Sequence, residues 1–302
     1  MSPLIAALYT LCILFLTTFS IFVLAKNPMG RLNRYFAALC LALLGWVGSL
    51  FAFSLQTSPS ELLWIGRFNF ASVAFAVTLT YLFTREVAGK KPNGSEPWLW
   101  IETFVLGAVS LLTSAVDTSE HVSNGLHTTT YGPVFLIYIA HILVYIGSAL
   151  YVCWRPGIRV SLETRSQLSL IGGGVLTTVA IALVTNALLP YLAGDFRFIH
   201  IGTISTIIFI AATGYAVFVY HLFDIHVVIR ATLVYGGLIA LALEFYHASI
   251  GFLAHLLPLG DATERNFAAT TLTLVVYSFT QNSVQAWLER IVRRVISGPH
   301  KV

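Results

Sequence analysis

The side chains best placed to do chemistry in this chain are ionisable or amide groups set in long apolar stretches. Arg67 interrupts one such stretch, Glu244 and His247 lie three apart in another, and Tyr138, His141, Asn186 and His200 are spread over three more. An ionisable group at bilayer depth costs on the order of 2.5 to 3.5 kcal/mol, so each needs a partner, a wet cavity or a ligand. Residues three apart share a helix face, so Glu244 and His247 can form an interhelical clasp or a proton-sensitive switch. Arg67, Tyr138, His141, Asn186 and His200 form the expected ligand site, an outward-opening pocket with aromatics around it. Arg67 lies close enough to the end of its helix to snorkel outward, and otherwise pairs with an acid or anchors an anionic ligand. Asn69, two residues on and about 200° around a helix, need not share its site.

Other chemistries find no purchase. No HExxH, GxSxG or Walker A sequence occurs, so no catalytic residue is expected. His221, Asp224 and His226 lack the four-ligand pattern of structural zinc, as do His121 and His127 beside Asp117 and Glu120, and no metal site is expected. Lys26, Lys90, Lys91 and Lys301 all fall in loops or the tail, which removes the Schiff base a retinal protein needs. Cys12, Cys40 and Cys153 sit in or beside apolar sequence without a CxxC pair and read as small buried hydrophobes. The cofactor is left unknown, because an apolar pocket for pigment, lipid or haem leaves no compact signature.

The elements that must position these groups follow from composition. Of 302 residues 57% are hydrophobic and 10% charged, against about 25% charged in a soluble domain. Apolar runs near 3–25, 34–56, 62–87, 98–116, 133–154, 167–190, 198–222, 227–257 and 266–281 are long enough to approach or exceed a hydrocarbon core of about 30 Å. The expected fold is all-α, a polytopic transmembrane bundle of about nine helices. The first run has no basic flank and no small-residue cleavage site, so it is expected to be a retained helix.

Charge sets the expected sidedness. One set of loops carries Lys26, Arg31, Arg34, Arg85, Lys90, Lys91, Arg155, Arg159, Arg165, Arg230, Arg290, Arg293, Arg294 and Lys301. The alternate set carries only Arg197 and Arg265, with Glu61, Asp117, Glu120, Asp195, Asp261 and Glu264. Positive loops resist translocation, which puts the amino end outside and the carboxyl end in the cytoplasm. In the longest outer segment, Asn124-Gly125 between threonine-rich flanks predicts a small hairpin with a type I′ turn, capping the bundle. Residues 285–296 place Trp287, Leu288, Ile291, Val292, Val295 and Ile296 on one helical half and Glu289, Arg290, Arg293 and Arg294 on the other. Such a helix lies in the inner interface, where Trp287, Arg290, Arg293 and Arg294 would meet lipid or a partner.

Several stretches resemble one family: Asn33-Arg34-Tyr-Phe, Trp46, Trp64-Ile-Gly-Arg-Phe, Tyr131-Gly-Pro-Val-Phe, Thr164-Arg-Ser-Gln-Leu before Gly172-Gly173-Gly174, Asn186-Ala-Leu-Leu-Pro190, Tyr215-Ala, and Leu222-Phe-Asp-Ile-His-Val-Val-Ile-Arg230. Together their order is similar to that of the seven-helix N-terminal sensor region of bacterial histidine kinases. The resemblance covers 1–226 and implies a sensor-like membrane domain there, with a two-helix hairpin at 227–284 and the basic amphipathic helix and tail at 285–302. No phosphoacceptor helix or ATP-binding domain follows, so the expectation is a non-enzymatic module that passes a ligand or membrane signal to a separate cytoplasmic partner. The alternative is an accessory or scaffold subunit of a larger membrane complex, homo- or hetero-oligomeric. Nucleic acid is not an expected partner, because the basic residues are scattered rather than gathered on one face. No inverted repeat points to a transporter.

Overall fold

Apolar chain in a bilayer has no water to satisfy its peptide groups, so helices are the natural solution. The structure, a computed structural model, describes residues 3–56, 58–90, 94–123, 126–155, 160–219, 241, 242, 245, 246, 248, 249 and 262–296. The chain divides into two units, Leu16–Ile225 and a second made of Met1–Phe15 with His226–Val302.

The elements in order are α1 (Pro3–Lys26), α2 (Arg31–Phe53), α3 (Pro59–Val87), α4 (Glu96–Leu112), β1 (Asp117–Ser123), β2 (Leu126–Tyr131), α5 (Phe135–Trp154) and α6 (Leu162–Leu183). A π turn, Val184–Leu188, leads into α7 (Leu189–Ala193), followed by α8 (Ile199–Ile204), α9 (Thr206–Val219) and α10 (Ala262–Ile296). Six helical stretches among the described residues are long and apolar enough to cross a membrane. The 17-residue α4 rises about 25 Å, a little short of a full crossing. The architecture is therefore the expected all-α polytopic bundle. Its exterior is apolar as well: Ile101, Phe104, Val105, Leu136, Ile137, Leu143 and Val144 are exposed, a pattern that only a lipid solvent tolerates.

Local signals set the helix ends. α1 stops ahead of Asn27-Pro28, where the proline ring disfavours helix in the preceding residue. α3 starts with Pro59 in its first turn, where a missing N–H costs nothing. At α6 the Ser161 hydroxyl accepts from the Thr164 amide at 3.1 Å, a side-chain cap. The π turn has its cause in Pro190: without an N–H, it leaves the Asn186 carbonyl lacking its helical donor, and the backbone widens instead.

Polar contacts between helices fix the packing of the Leu16–Ile225 unit. Asn69 on α3 donates to the Trp46 carbonyl (3.2 Å) and to Ser49 Oγ (2.8 Å) on α2. Thr78 on α3 and Thr103 on α4 share a hydrogen bond of 2.8 Å. At one end of the bundle Arg31 meets Glu96 at 2.9 Å and Glu86 at 3.6 Å, and the Tyr35 hydroxyl also donates to Glu96, which ties α2, α3 and α4 together. At the other end the expected hairpin is present, with β1 and β2 antiparallel from Ser123↔Leu126 to Asp117↔Tyr131, a spacing that leaves two residues for the turn. Asn124 and Gly125 themselves lie outside the described residues.

In the second unit, the stretch expected as a ninth span and a separate amphipathic helix is one continuous 35-residue helix, α10. No glycine or proline falls between Ala262 and Ile296 to break it. Its apolar part, Ala268–Thr280, is shorter than a full span. Glu244 and His247, and most of the expected span 227–257, lie outside the described residues.

Candidate functional site

A cavity of about 130 Å³ opens between α2, α3, α5, α6 and α9. Its walls are apolar, with Leu43, Val73, Val77, Ile142, Val175 and Phe209 among them, and Asn69, Tyr138, Asn186 and Thr206 supply the polar edges. Tyr138 donates its hydroxyl to the Phe70 carbonyl at 3.0 Å. Thr178 donates to the Ser205 carbonyl at 3.0 Å, holding α6 against the break between α8 and α9. Thr206 Oγ1 is buried in the lining without a hydrogen-bond partner. The Gly202 carbonyl four residues earlier, the usual acceptor for a helical threonine, takes Ser205 Oγ at 2.5 Å.

Asn186 is positioned by the π turn. Its Oδ1 accepts from Thr185 Oγ1 at 2.7 Å, and its Nδ2 faces Thr203 Oγ1 on α8 at 3.4 Å. This approach depends on Gly202: a Cβ there would fall 2.1 Å from Asn186 Oδ1 and 2.2 Å from Thr185 Oγ1.

A second cavity of about 70 Å³ lies toward the hairpin and shares Asn69, Phe70 and Asn186 with the first. Glu120, Thr129 and Tyr131 of the hairpin form its roof, with Gly66, Phe196 and Ile199 around it. Aromatic rings hold this roof down: Tyr131 lies 4.1 Å from Phe135 and 5.7 Å from Tyr191 between centroids, and Phe70 lies 5.3 Å from Tyr138.

The hairpin also buries two acids. Three residues apart on a regular strand, Asp117 and Glu120 would face opposite sides. An irregularity in pairing between Asp117 and Ser119 inserts one residue and turns both carboxyls to the same side. Asp117 is 0% exposed and Glu120 2%, and a Cβ on Gly66 would lie 2.7 Å from an oxygen of each. Glu120 accepts from Thr129 Oγ1 at 2.9 and 3.0 Å, whereas with both acids ionised the Asp117 oxygens have no donor. A hydrogen bond between the two carboxyls therefore requires a proton on one of them. Burial raises the affinity of both for a proton, and the neighbouring Asp117 charge raises Glu120 further. Arg67 opposes this at Asp117 only in part. Burial, followed by the charges of Glu120 and Asp117, also raises Tyr131. Nearby Asp195, by contrast, is held well below the usual carboxylate range by hydrogen bonds from Arg197.

The expected site residues thus separate. Tyr138 and Asn186 come together at the central cavity. Arg67 donates from Nε to the Asp117 carbonyl at 3.4 Å, and lies outside both linings. His200, on α8, lies outside both as well. His141 faces elsewhere: Nδ1 is 2.8 Å from Glu102 Oε1 and Nε2 is 3.1 Å from the Ala74 carbonyl, joining α5 to α4 and α3. A carbonyl only accepts, so Nε2 carries a proton, and a further proton sits between Nδ1 and the carboxyl. Tyr145 donates to the other Glu102 oxygen at 2.8 Å. His141→Ala is expected to cost about 1 to 3 kcal/mol by leaving Glu102 short of a partner; thermal unfolding in detergent checks this, and an unchanged midpoint would contradict it. Trp287 and Arg290 on α10 are exposed, Arg290 Nε donating to the Ala286 carbonyl at 3.2 Å. Arg293 and Arg294 continue the same helix, their side chains outside the description.

Taking α6 through α7 as one rod and α8 with α9 as another, residues 3–219 form seven rods. A family model described as the N-terminal 7TM region of histidine kinase matches residues 5–226. The chain belongs to this family. No curated protein matches it by sequence. As a member of the histidine kinase 7TM family it carries a multi-pass membrane sensor region, a region that is not itself catalytic. Both cavities lie within the matched residues. Asn69, Glu102 and Thr206 carry no sequence signal beyond being polar in apolar runs. In the sequence the two acids stand out as members of an acidic loop and beside His121 and His127, without a sign that they pair.

Proposed function

We propose that this protein is a ligand sensor of a bacterial cytoplasmic membrane, in which a small apolar molecule enters the central cavity and alters the state of a cytoplasmic signalling partner. The observation that carries the reading is the cavity itself: apolar, bounded by five helices, and edged by Tyr138, Asn186 and the unpartnered Thr206 hydroxyl. A cavity of roughly 150 Å³ with apolar walls accommodates a benzene ring, so a six-to-eight-carbon body is the matching size. The charges support the sidedness. Asp117, Glu120 and Asp195 belong to the hairpin end of the Leu16–Ile225 unit, while Lys26, Arg31, Arg85 and Lys90 belong to the opposite end, a distribution that supports an outward-facing hairpin. The signal leaves through the segment after residue 226 and the basic α10, where Trp287, Arg290, Arg293 and Arg294 meet lipid or the partner.

Benzene is the direct probe. It is expected to raise the thermal midpoint of the purified wild-type protein, and a cavity-filling Ala182→Phe variant is expected to lose that shift. Equal shifts in the two proteins would remove the cavity as the binding place. Hydrogen exchange across residues 262–296 is expected to change on benzene addition, and exchange that stays the same would remove the coupling to the carboxyl end.

A further inference from the structure

The two cavities differ in character, and the difference specifies a ligand. The larger is apolar. The smaller, which shares Asn69, Phe70 and Asn186 with it as lining, is closed on the hairpin side by Glu120. Behind Glu120, Asp117 is fully buried with both carboxylate oxygens lacking a donor. Independently, the buried Thr206 hydroxyl faces the larger cavity without a partner. The smaller cavity therefore presents a carboxyl at its hairpin side, and the larger a hydroxyl open to a ligand.

The charges around the acids reinforce this. From α3, Arg67 donates its Nε to the Asp117 backbone carbonyl, and its charge offsets part of that on Asp117. From β2, Tyr131 lines the smaller cavity as a neutral phenol. Beside Phe196, Arg197 is paired with Asp195 at 2.6 Å. Among the described residues no ion pair involves Glu120. A buried pair of carboxyls that shares one proton keeps one negative charge, which attracts a cation and repels an anion.

We propose that the two adjacent cavities act as a single site for a small apolar amine, its hydrocarbon body in the larger cavity and its ammonium group reaching past Asn69, Phe70 and Asn186 to donate to Glu120 in the smaller. This rests on the reading of the larger cavity as a ligand site and adds the chemical class of the head group. The ammonium adds donors to Glu120 beside the one from Thr129, and charge-assisted hydrogen bonds of this kind are about twice as strong as neutral ones. Protons compete with the amine for the same oxygens, so binding strengthens as pH rises while the amine stays protonated.

Three compounds that share a body and differ only in the head test it: 2-phenylethylamine, 2-phenylethanol and phenylacetate, titrated against the full chain in phosphatidylcholine nanodiscs. At about pH 8 the amine is expected to bind about tenfold or more tighter than the alcohol, with phenylacetate weakest. The ratio of amine to alcohol should shrink at about pH 6, where the acid pair holds more protons. Glu120→Gln, or Asp117→Asn if the first variant does not fold, should bring the ratio close to one. Alcohol and amine binding equally to the wild type would overturn the amine assignment and leave the cavity reading standing. Phenylacetate binding most tightly would reverse the sign of the site and overturn the assignment in the same way. If neither the alcohol nor benzene binds, the cavity reading fails and takes this inference with it.

Discussion

Gly202→Ala is expected to destabilise the Leu16–Ile225 unit by about 1 to 3 kcal/mol, the usual cost of forcing an extra methyl into a packed interior. The added Cβ would fall 2.1 Å from Asn186 Oδ1 and 2.2 Å from Thr185 Oγ1, far inside contact distance. Neither atom is free to yield. Thr185 Oγ1 is held by the Ile181 carbonyl at 2.9 Å, and Asn186 by Thr185 and Thr203. The π turn exists to bring these two side chains to α8, so the substitution should also move Asn186 out of the cavity edge and weaken benzene binding. Thermal unfolding and benzene titration measure the two effects. Combining Gly202→Ala with Thr185→Ala and Asn186→Ala should cost less than the separate changes added together, because the atoms the methyl meets are gone. Simple additivity would show that the clash is not the cause.

The second large effect is a fall in stability as pH rises. Asp117 is pushed up to about 7 and Glu120 to about 9, chiefly by burial, while in the unfolded chain both return to the ordinary carboxylate range. Between those limits the folded protein holds more protons than the unfolded one, so stability falls with rising pH. The contribution of the acid pair is fully present below the ordinary carboxylate range and is lost as pH climbs through about 7 and then about 9. The expected profile is the reverse of that given by ion-paired carboxylates. Thermal midpoints of the wild type should decline between about pH 5 and pH 9, while Glu120→Gln, with no charge to bury, should give a flatter profile. A wild-type midpoint that rises or stays level across this range would remove the buried pair as a determinant. A saturating amine should oppose the decline, since it supplies charge to the ionised pair.

The membrane class, the helical architecture and the hairpin were legible in the sequence because each depends on local or composition-level physics. An apolar run has one stable way to cross a hydrocarbon core, and a two-residue turn between threonine-rich flanks sets up its own strand pairing. The family was legible too, through the order of short motifs along residues 1 to 226. Tyr138 and Asn186 were found as polar residues in apolar sequence, and they do reach one cavity. By the same criterion His141 looked equivalent, yet it faces Glu102 and the Ala74 carbonyl. Periodicity tells which residues share a face of one helix but says nothing of which neighbour that face meets.

The acid pair shows the limit most sharply. The residues Asp117 and Glu120 are plain in the sequence as members of an acidic loop, and strand alternation applied to them gives opposite faces. A single inserted residue in β1 reverses that, the bare backbone of Gly66 admits both carboxyls, and the aromatic rings of Phe70, Tyr131, Phe135 and Tyr191 seat the hairpin over them. The sequence by itself determined that this protein lives in a membrane, that it is a bundle of apolar helices and which family it belongs to, since those follow from hydropathy, charge and short-range order. Only the tertiary structure decided that two acids are buried side by side next to an apolar cavity, because burial and partnering depend on residues brought together from α3, α5, α6, α7 and the hairpin, which no local pattern couples.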